Sequence, residues 1–458
     1  MEKDQALQKL FDMVDEATDE LVELQQELVR IQSVNTGAPD SGNETEVCRL
    51  LEQRFSAEGI PNMTLESAPG RGNFIAHIGG KNSPRLMFMS HTDVVPVEDE
   101  SEWDFPPFSG QVVDGKVYGR GSDDCKSLTS SGAMAMFLLK RAGVSLNGEL
   151  RLLAAADEES GGSYGIQWLA ENHPDKIRAD WAVNEGGGMP LKTVNGRQVY
   201  LFPMGEKGRI EARFTLNGRS AHGARPWYAD NALYKLGELL ERLRKFQDDA
   251  EIDLSVPVFE ELHLFGVEGE VTPENIDLLL DELEKTNKAL ARDLKGMSRM
   301  SIAPTITAAG VKSNNIPSIA NLICDVRTLP HHDEAYVRQE LDKLTDGIDG
   351  ASYELDVWAI SNSSPADSPF VDLMKRATEL VLGQEILMIP NLTVGFTDSR
   401  CVRPLGTQAY GFSPLAPDSD TTRTGIHGIN EAMEISNLVF RTKMQVALAY
   451  LALQGSMA

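Results

Sequence analysis

Residues 119–127 read GRGSDDCKS, two glycines round an arginine followed by two aspartates, a cysteine and a lysine. So acidic and small-jointed a loop suits a bound dication, with Asp123 and Asp124 both candidates to hold it. Three apolar runs also end in groups that ligate metals. LMFMSHTDVV delivers His91 and Asp93, LRLLAAADEESGG delivers Asp157, Glu158 and Glu159, and ADWAVNEGGG delivers Glu185. Ligands in open α/β sheets gather at the carboxyl ends of strands. A lone histidine or a glutamate pair would mean little, but four such segments together point to a metal cluster. Spacing alone chooses neither between the two aspartates nor between Glu158 and Glu159.

The elements that must position these groups follow from the apolar pattern. NFIAHIGG, RLMFMSH, ELRLLAAADEE and ADWAVNEGGG are continuous apolar runs bounded by turn residues, and residues 127–143 between them read as a helix. Strands of that kind alternating with helices predict a mostly parallel central sheet covered on both faces, an α/β fold. Residues 4–32 repeat Leu7, Leu10, Phe11, Val14, Leu21, Leu24 and Leu28 at helical spacing, and 44–59 form another helix ending on Gly59. Beyond about residue 205 the texture changes. GRIEARFTLNGRSAH alternates with period two, and two helical stretches and the strands TITAAGV and IANLICDVRTLP follow. The expected division is a first domain over 1–205, resumed over 331–458, with a smaller α+β domain inserted at 206–330. The acidic segment around 247–300 is expected to extend a solvated helix.

A chain of 458 residues is long enough for two or three domains. Its net charge of −26 argues against nucleic acid or an anionic membrane as a partner and fits a solvated acidic surface. The four cysteines, Cys48, Cys125, Cys324 and Cys401, are scattered without a CxxC pair. A disulfide framework or thiolate zinc site is therefore not expected, and a reducing compartment is. The charged N-terminus carries no apolar signal core and no run approaches the roughly 18 apolar residues of a spanning helix, so a cytoplasmic location is expected.

In order along the chain, SHTDVVP, WDFPPFSG, DGKVYGRGSDDCKS, ADEESGG, NEGGG, GRSAHGARP, NNIPS…DVRTLP and GIHGINE occur. This series resembles the zinc-dependent aminoacylase/carboxypeptidase metallopeptidase family, which includes acetylornithine deacetylase, succinyl-diaminopimelate desuccinylase, glutamate carboxypeptidase, carboxypeptidase S and cytosolic dipeptidases. The likeness runs from LVRIQSVNTG to the last helix. It implies two Zn2+ ions per chain, with Co2+ or Mn2+ as substitutes, in a zinc-peptidase-like catalytic domain. His91 and Glu185 would bind one ion, Glu159 and His427 the other, and Asp124 would bridge them. Asp93 would fix the His91 ring, and Glu158 would be the general base. Cys125 stands where the family often has methionine and is expected to be a packing residue, open to thiol reagents.

The resemblance also makes the inserted domain a lid and a dimerisation surface. His222 would reach the active site of the other subunit of a homodimer and steady the oxyanion. Asn314, preferred to Asn315 on its spacing from Pro317, would bind substrate with Arg327, and Gly395 or Arg400 of GFTDSR would contact it too. The implied reaction is hydrolysis of the amide bond in a small peptide or N-acyl amino acid with a free carboxylate. WDFPPFSG with NEGGG leans towards carboxypeptidase- and dipeptidase-like members. The alternatives are a deacylase acting on one N-acylated metabolite and a non-catalytic dimeric binding protein on the same fold.

Overall fold

The apolar runs of the sequence become neighbouring strands in the computed structural model, which describes residues 2–38, 40–80, 83–419 and 425–456, with side chains from residue 5 onward. The chain divides into two compact units, Met1–Met204 with Ser364–Pro390 and Thr397–Ala458, and Gly205–Ser363 with Asn391–Phe396.

In the first unit six strands lie in the order Asn62–Glu66, Gly72–Gly79, Glu149–Ala155, Arg85–His91, Trp181–Asn184, Gln408–Gly411. The last four run parallel, and Gly72–Gly79 is antiparallel to both its neighbours. Side chains alternate across the sheet. Leu86, Phe88, Leu150, Leu152 and Val183 join one buried cluster, and Met87, Met89, Leu153, Ala155 and Ala182 join another. Apolar groups on both faces explain why these strands read as unbroken runs rather than alternating ones. The first cluster also takes Leu7, Leu10, Phe11, Val14, Leu21, Leu24 and Leu28 from the helices Glu2–Glu16 and Thr18–Arg30, the two helices expected of residues 4–32.

The helix Lys126–Arg141 begins directly after the acidic loop and is buried from Lys126 to Leu139. At Gly132 a β-carbon would lie 2.9 Å from Leu152 Cδ1, so the bare backbone lets the helix settle against the sheet. Lys126 donates to Leu28 O at 2.9 Å and Ile31 O at 2.7 Å, satisfying carbonyls at the end of the helix Thr18–Arg30. The acidic loop is thereby tied at its exit to two helices.

The second unit holds an antiparallel sheet in the order Ser301–Ala309, Ile319–Thr328, Gly208–Asn217, Ala351–Ala359. Its buried face, Ile210, Ala212, Phe214 and Leu216 with Leu322 and Val326, is covered by Leu236, Leu239 and Leu243 of the helix Ala232–Asp249. Val337 and Leu341 of the helix Glu334–Thr345 cover it as well. This unit extends to Ser363 instead of ending at 330. The physical reason is that Ala351–Ala359 hydrogen-bonds along Gly208–Asn217 and Glu334–Thr345 packs on the same core. The acidic segment also differs from a solvated helix. It forms Pro257–Phe265, Ile276–Glu284 and Lys288–Met297, with Phe259, Leu262, Ile276, Leu280, Leu290 and Leu294 buried. Among the described residues no helix is long and apolar enough to cross a membrane.

Phe55 sits between Phe74 and Phe137, with ring centroids 5.0 and 4.8 Å away. Phe55→Ala should therefore cost about 3–5 kcal/mol by opening a cavity in a close-packed core. The loss is expected as a lowered denaturation midpoint of the first unit, read by near-ultraviolet circular dichroism.

Candidate metal centre

Three neighbouring parallel strands bring their carboxyl ends together in the first unit. His91 ends Arg85–His91, Glu158 and Glu159 lie on a short 3-10 turn after Glu149–Ala155, and Glu185 follows Trp181–Asn184. Asp124 comes from the acidic loop and His427 from the segment 425–431, where it takes a φ of 58°. His91 Nε2 lies 3.0 Å from Asp124 Oδ1 and 3.5 Å from Glu185 Oε2. His427 Nε2 lies 3.2 Å from Asp124 Oδ2 and 3.2 Å from Glu159 Oε2. Asp124 thus turns one oxygen to each histidine. Asp123 is half-buried, and desolvation pushes its carboxyl up to about 7, with the charge of Arg441 opposing the rise.

Two groups of donor atoms could each hold a cation, His91, Asp124, Cys125 and Glu185 in one and Asp124, Glu159 and His427 in the other. His91 Nδ1 is 3.0 Å from the Asp93 carbonyl oxygen, which can only accept, so the ring proton sits on Nδ1. Nε2 then faces the carboxylates of Asp124 and Glu185, donating to them when protonated and open to a metal ion when not. Glu159 Oε1 is buried without a hydrogen-bond partner, a second donor atom awaiting a positive charge. These residues fit a pair of metal ions.

The electrostatics follow from burial. Burial pushes Glu185 up to about 7 and lifts Glu158 well above the usual carboxylate range, with the Glu185 charge adding to the lift on Glu158. Asp124 goes the other way: burial opposes its charge, but hydrogen bonds from His427 and His91 hold it below the usual range. The carboxylates of Asp124 and Glu159, which accept from the His427 ring, push His427 up to about 10.

Asp93 is the hub behind these donor groups. Its carboxylate lies 3.4 Å from His91 Nδ1 and accepts the Glu158 N–H at 3.1 Å, the Glu159 N–H at 3.1 Å and Asn35 Nδ2 at 2.8 Å. Asn35 also donates to Asp157 Oδ1, which receives Arg71 Nη2 at 2.7 Å. One aspartate therefore aligns the histidine ring with the glutamate turn.

Cys125 does not behave as the exposed thiol that reagents attack. It is 1% exposed, its sulfur accepts the His91 N–H, and burial pushes its thiol up to about 12. Its sulfur nevertheless lies among the His91, Asp124 and Glu185 donor atoms.

The remaining candidates lie elsewhere. His222 is exposed on the short strand Ala221–His222 of the second unit, opposite Asn315, and Gly223 N–H donates to the carbonyl of exposed Asn314. Arg327 meets Asp325 through Nε at 2.6 Å. GFTDSR is split between the units, with Gly395 in the second and Arg400 in the first. Arg400 is buried and donates to Thr397 O and Gly161 O, bracing the glutamate turn. Sequence reasoning missed Asn35, Asp398 and Glu431, although each lies inside or beside a quoted motif. Asp398 is 3% exposed with Oδ1 unpartnered, and the charges of Glu158 and Glu185 bear on it.

Such a sheet and site define a metal-dependent hydrolase, and comparison with known proteins gives the family. Residues 87–451 match peptidase family M20/M25/M40, and the chain belongs to it. A probable succinyl-diaminopimelate desuccinylase of Staphylococcus aureus is 26% identical over 392 residues, covering 83% of this chain and 85% of that protein. A Xenopus tropicalis protein described as N-fatty-acyl-amino acid synthase/hydrolase PM20D1 is 28% identical over 409 residues, covering 84% and 75%. Among solved structures, the M20 family metallo-carboxypeptidase Sso-CP2 of Sulfolobus solfataricus aligns with a TM-score of 0.69 at 21% identity, over 94% of this chain and 99% of that one. The di-peptidase Dug1p of Saccharomyces cerevisiae gives 0.69 at 17%, over 99% of each.

Asp124→Asn should strip metal from the protein, whereas Asp123→Asn should leave metal content near that of the parent. Elemental analysis after gel filtration measures both, and the reverse ranking would show that Asp123 is the ligand.

Proposed function

We propose that the protein is a dinuclear zinc amidohydrolase that cleaves the amide bond of a small peptide or N-acyl amino acid bearing a free carboxylate. The observation that carries this reading is Asp124 dividing its two oxygens between His91 and His427, with Glu158 buried alongside. His91 and Glu185 would hold one ion and Glu159 and His427 the other. The conventional ligands of this set are nitrogen and oxygen, which suit zinc and also admit cobalt or manganese. Bound ions would supply a water acidic enough to lose its proton near neutrality.

The chain's own residues account for the rest. Glu158 is paired with neither histidine, and burial raises its proton affinity well above that of an ordinary carboxylate. It can therefore take the water's proton and return it to the leaving amine. Asp93 holds the backbone of that base through the Glu158 N–H. His222 accepts the Ala224 N–H on Nδ1, which leaves Nε2–H as a donor for the developing oxyanion. That donor would come from the second subunit of a homodimer formed through the inserted unit. Its edge strand Ser301–Ala309 is largely exposed, as are Trp227, Tyr228 and Ile306. Arg327 presents a planar guanidinium suited to a terminal carboxylate, and Asn314 and Gly395 complete the substrate-binding set. Four cysteines without a disulfide fit a reducing compartment, and the protein is assigned to the cytoplasm.

The relatives' names support substrates in which the scissile amide lies near a carboxylate. The Staphylococcus aureus desuccinylase favours a second reading within the same chemistry, a deacylase of one N-acylated metabolite. A panel of dipeptides, N-acyl and N-succinyl amino acids, offered to zinc-loaded protein, separates the two. Broad turnover of dipeptides is expected. Turnover of a single acylated compound supports the deacylase, and inertness towards every amide would remove the function. Glu158→Ala should keep its zinc and lose roughly 10²–10⁴-fold in kcat.

His222→Ala should also lose activity with zinc retained. Mixing it with Glu158→Ala should restore activity in exchanged dimers, because one active site then has both groups intact. No recovery after exchange, verified by mass spectrometry of differently labelled chains, would exclude the shared site.

A further inference from the structure

The segment GIHGINE contributes more than His427. Its last residue, Glu431, is 1% exposed and lies against the acidic loop. Arg120 Nη1 and the Gly121 N–H donate to Glu431 Oε2 at 2.7 and 3.0 Å. The N–H groups of Asp123 and Asp124 donate to Oε1 at 2.9 and 3.0 Å. A carboxylate offers about four lone-pair sites, so this one is fully used. The attachment continues through the backbone, with the Gly119 N–H on Glu431 O at 2.9 Å and Arg120 Nη2 on Gly428 O at 2.8 Å. Residues far apart in sequence are thus joined into one piece. One end carries Asp124 and the other carries His427.

We propose that Glu431 is a positioning residue for the metal centre: it fixes the backbone of Asp124 from the segment that bears His427, so that one Asp124 oxygen faces each histidine. This rests on the reading of Asp124 and His427 as metal ligands. A ligand that must serve two ions tolerates little rotation, because a turn that improves one contact lengthens the other. The loop has glycines at 119 and 121 and would sample many backbone states if its N–H groups had no common acceptor. Glu431 removes that freedom and makes the placement of Asp124 depend on that of His427.

Glu431→Gln keeps the shape but replaces one accepting oxygen with an NH2 group aimed at backbone N–H donors. Amide hydrogen exchange of the metal-free protein should show lost protection in the peptide containing Gly121, Asp123 and Asp124. Zinc affinity, measured by competition with a chromophoric chelator, should fall about 10–100-fold for the weaker site. The kcat should fall with KM little changed, and far-ultraviolet circular dichroism should be retained. Glu431→Asp keeps the charge but falls short of the loop, and should lie between. Parental zinc affinity in folded Glu431→Gln, or unchanged exchange in the loop, overturns the proposal. If Glu431→Gln does not fold, Glu431→Asp decides in the same way. Failure of both to fold while Asp124→Asn folds assigns Glu431 to the fold and also overturns it. A parent protein that binds no zinc sinks the metal-centre reading, and the exchange arm, run without metal, then still reports whether Glu431 holds the loop.

Discussion

Buried negative charge is the constraint on which the catalytic unit depends. Asp93, Asp124, Glu158, Glu159 and Glu185 all come to the ends of three strands and one loop, where water is largely excluded. Removing a carboxylate from water costs several kcal/mol unless something answers its charge. The structure answers in graded ways. Asp93 takes two backbone N–H groups and an asparagine. Glu44 and Asp157 share Arg71, and Glu431 takes Arg120 with three backbone N–H groups. Asp124, Glu159 and Glu185 have two histidines among them. These are the groups whose donor atoms could hold cations.

The fold serves this arrangement by packing the strands beneath these groups on both faces. Strands buried on both faces cannot slip by one residue without exchanging Phe88 and Met89 between opposite cores. The register that seats His91 beside the glutamate turn is therefore enforced by apolar packing well below the site. Asn35 adds a lateral tie, because it joins Asp93 to Asp157 and accepts from Ser160 across the same turn.

Much of this was legible in the chain. The unbroken apolar runs announced a covered sheet, and their polar last residues are the groups it brings together at one end. The period-two stretch 208–222 announced the half-exposed sheet of the inserted unit. What escaped was of two kinds. Boundaries were missed although Ala351, Tyr353 and Leu355 alternate with polar residues, because the strand follows the helix Glu334–Thr345 and nothing local ties it to Gly208–Asn217. Supporting residues were missed because asparagine and glutamate next to a motif look the same whether they bond to water or to a buried amide. Asn35, Asp398 and Glu431 acquire their meaning only from partners distant in sequence. The acidic segment misled for a related reason: its charges lie on the outer faces of short helices, while Leu280 and Leu294 on the inner faces make a core.

The position of the inserted unit within the chain has a consequence for biosynthesis. Asp93, Asp124, Glu158, Glu159 and Glu185 are all translated before Gly205, whereas His427, Glu431 and the strand Gln408–Gly411 follow Ser363. A nascent chain therefore presents these five carboxylates throughout synthesis of the insert, without His427 and Glu431. Domains emerge and fold from the N-terminal end, so the segment bearing His427 and Glu431 joins them last, after the rest of the sheet has had time to form.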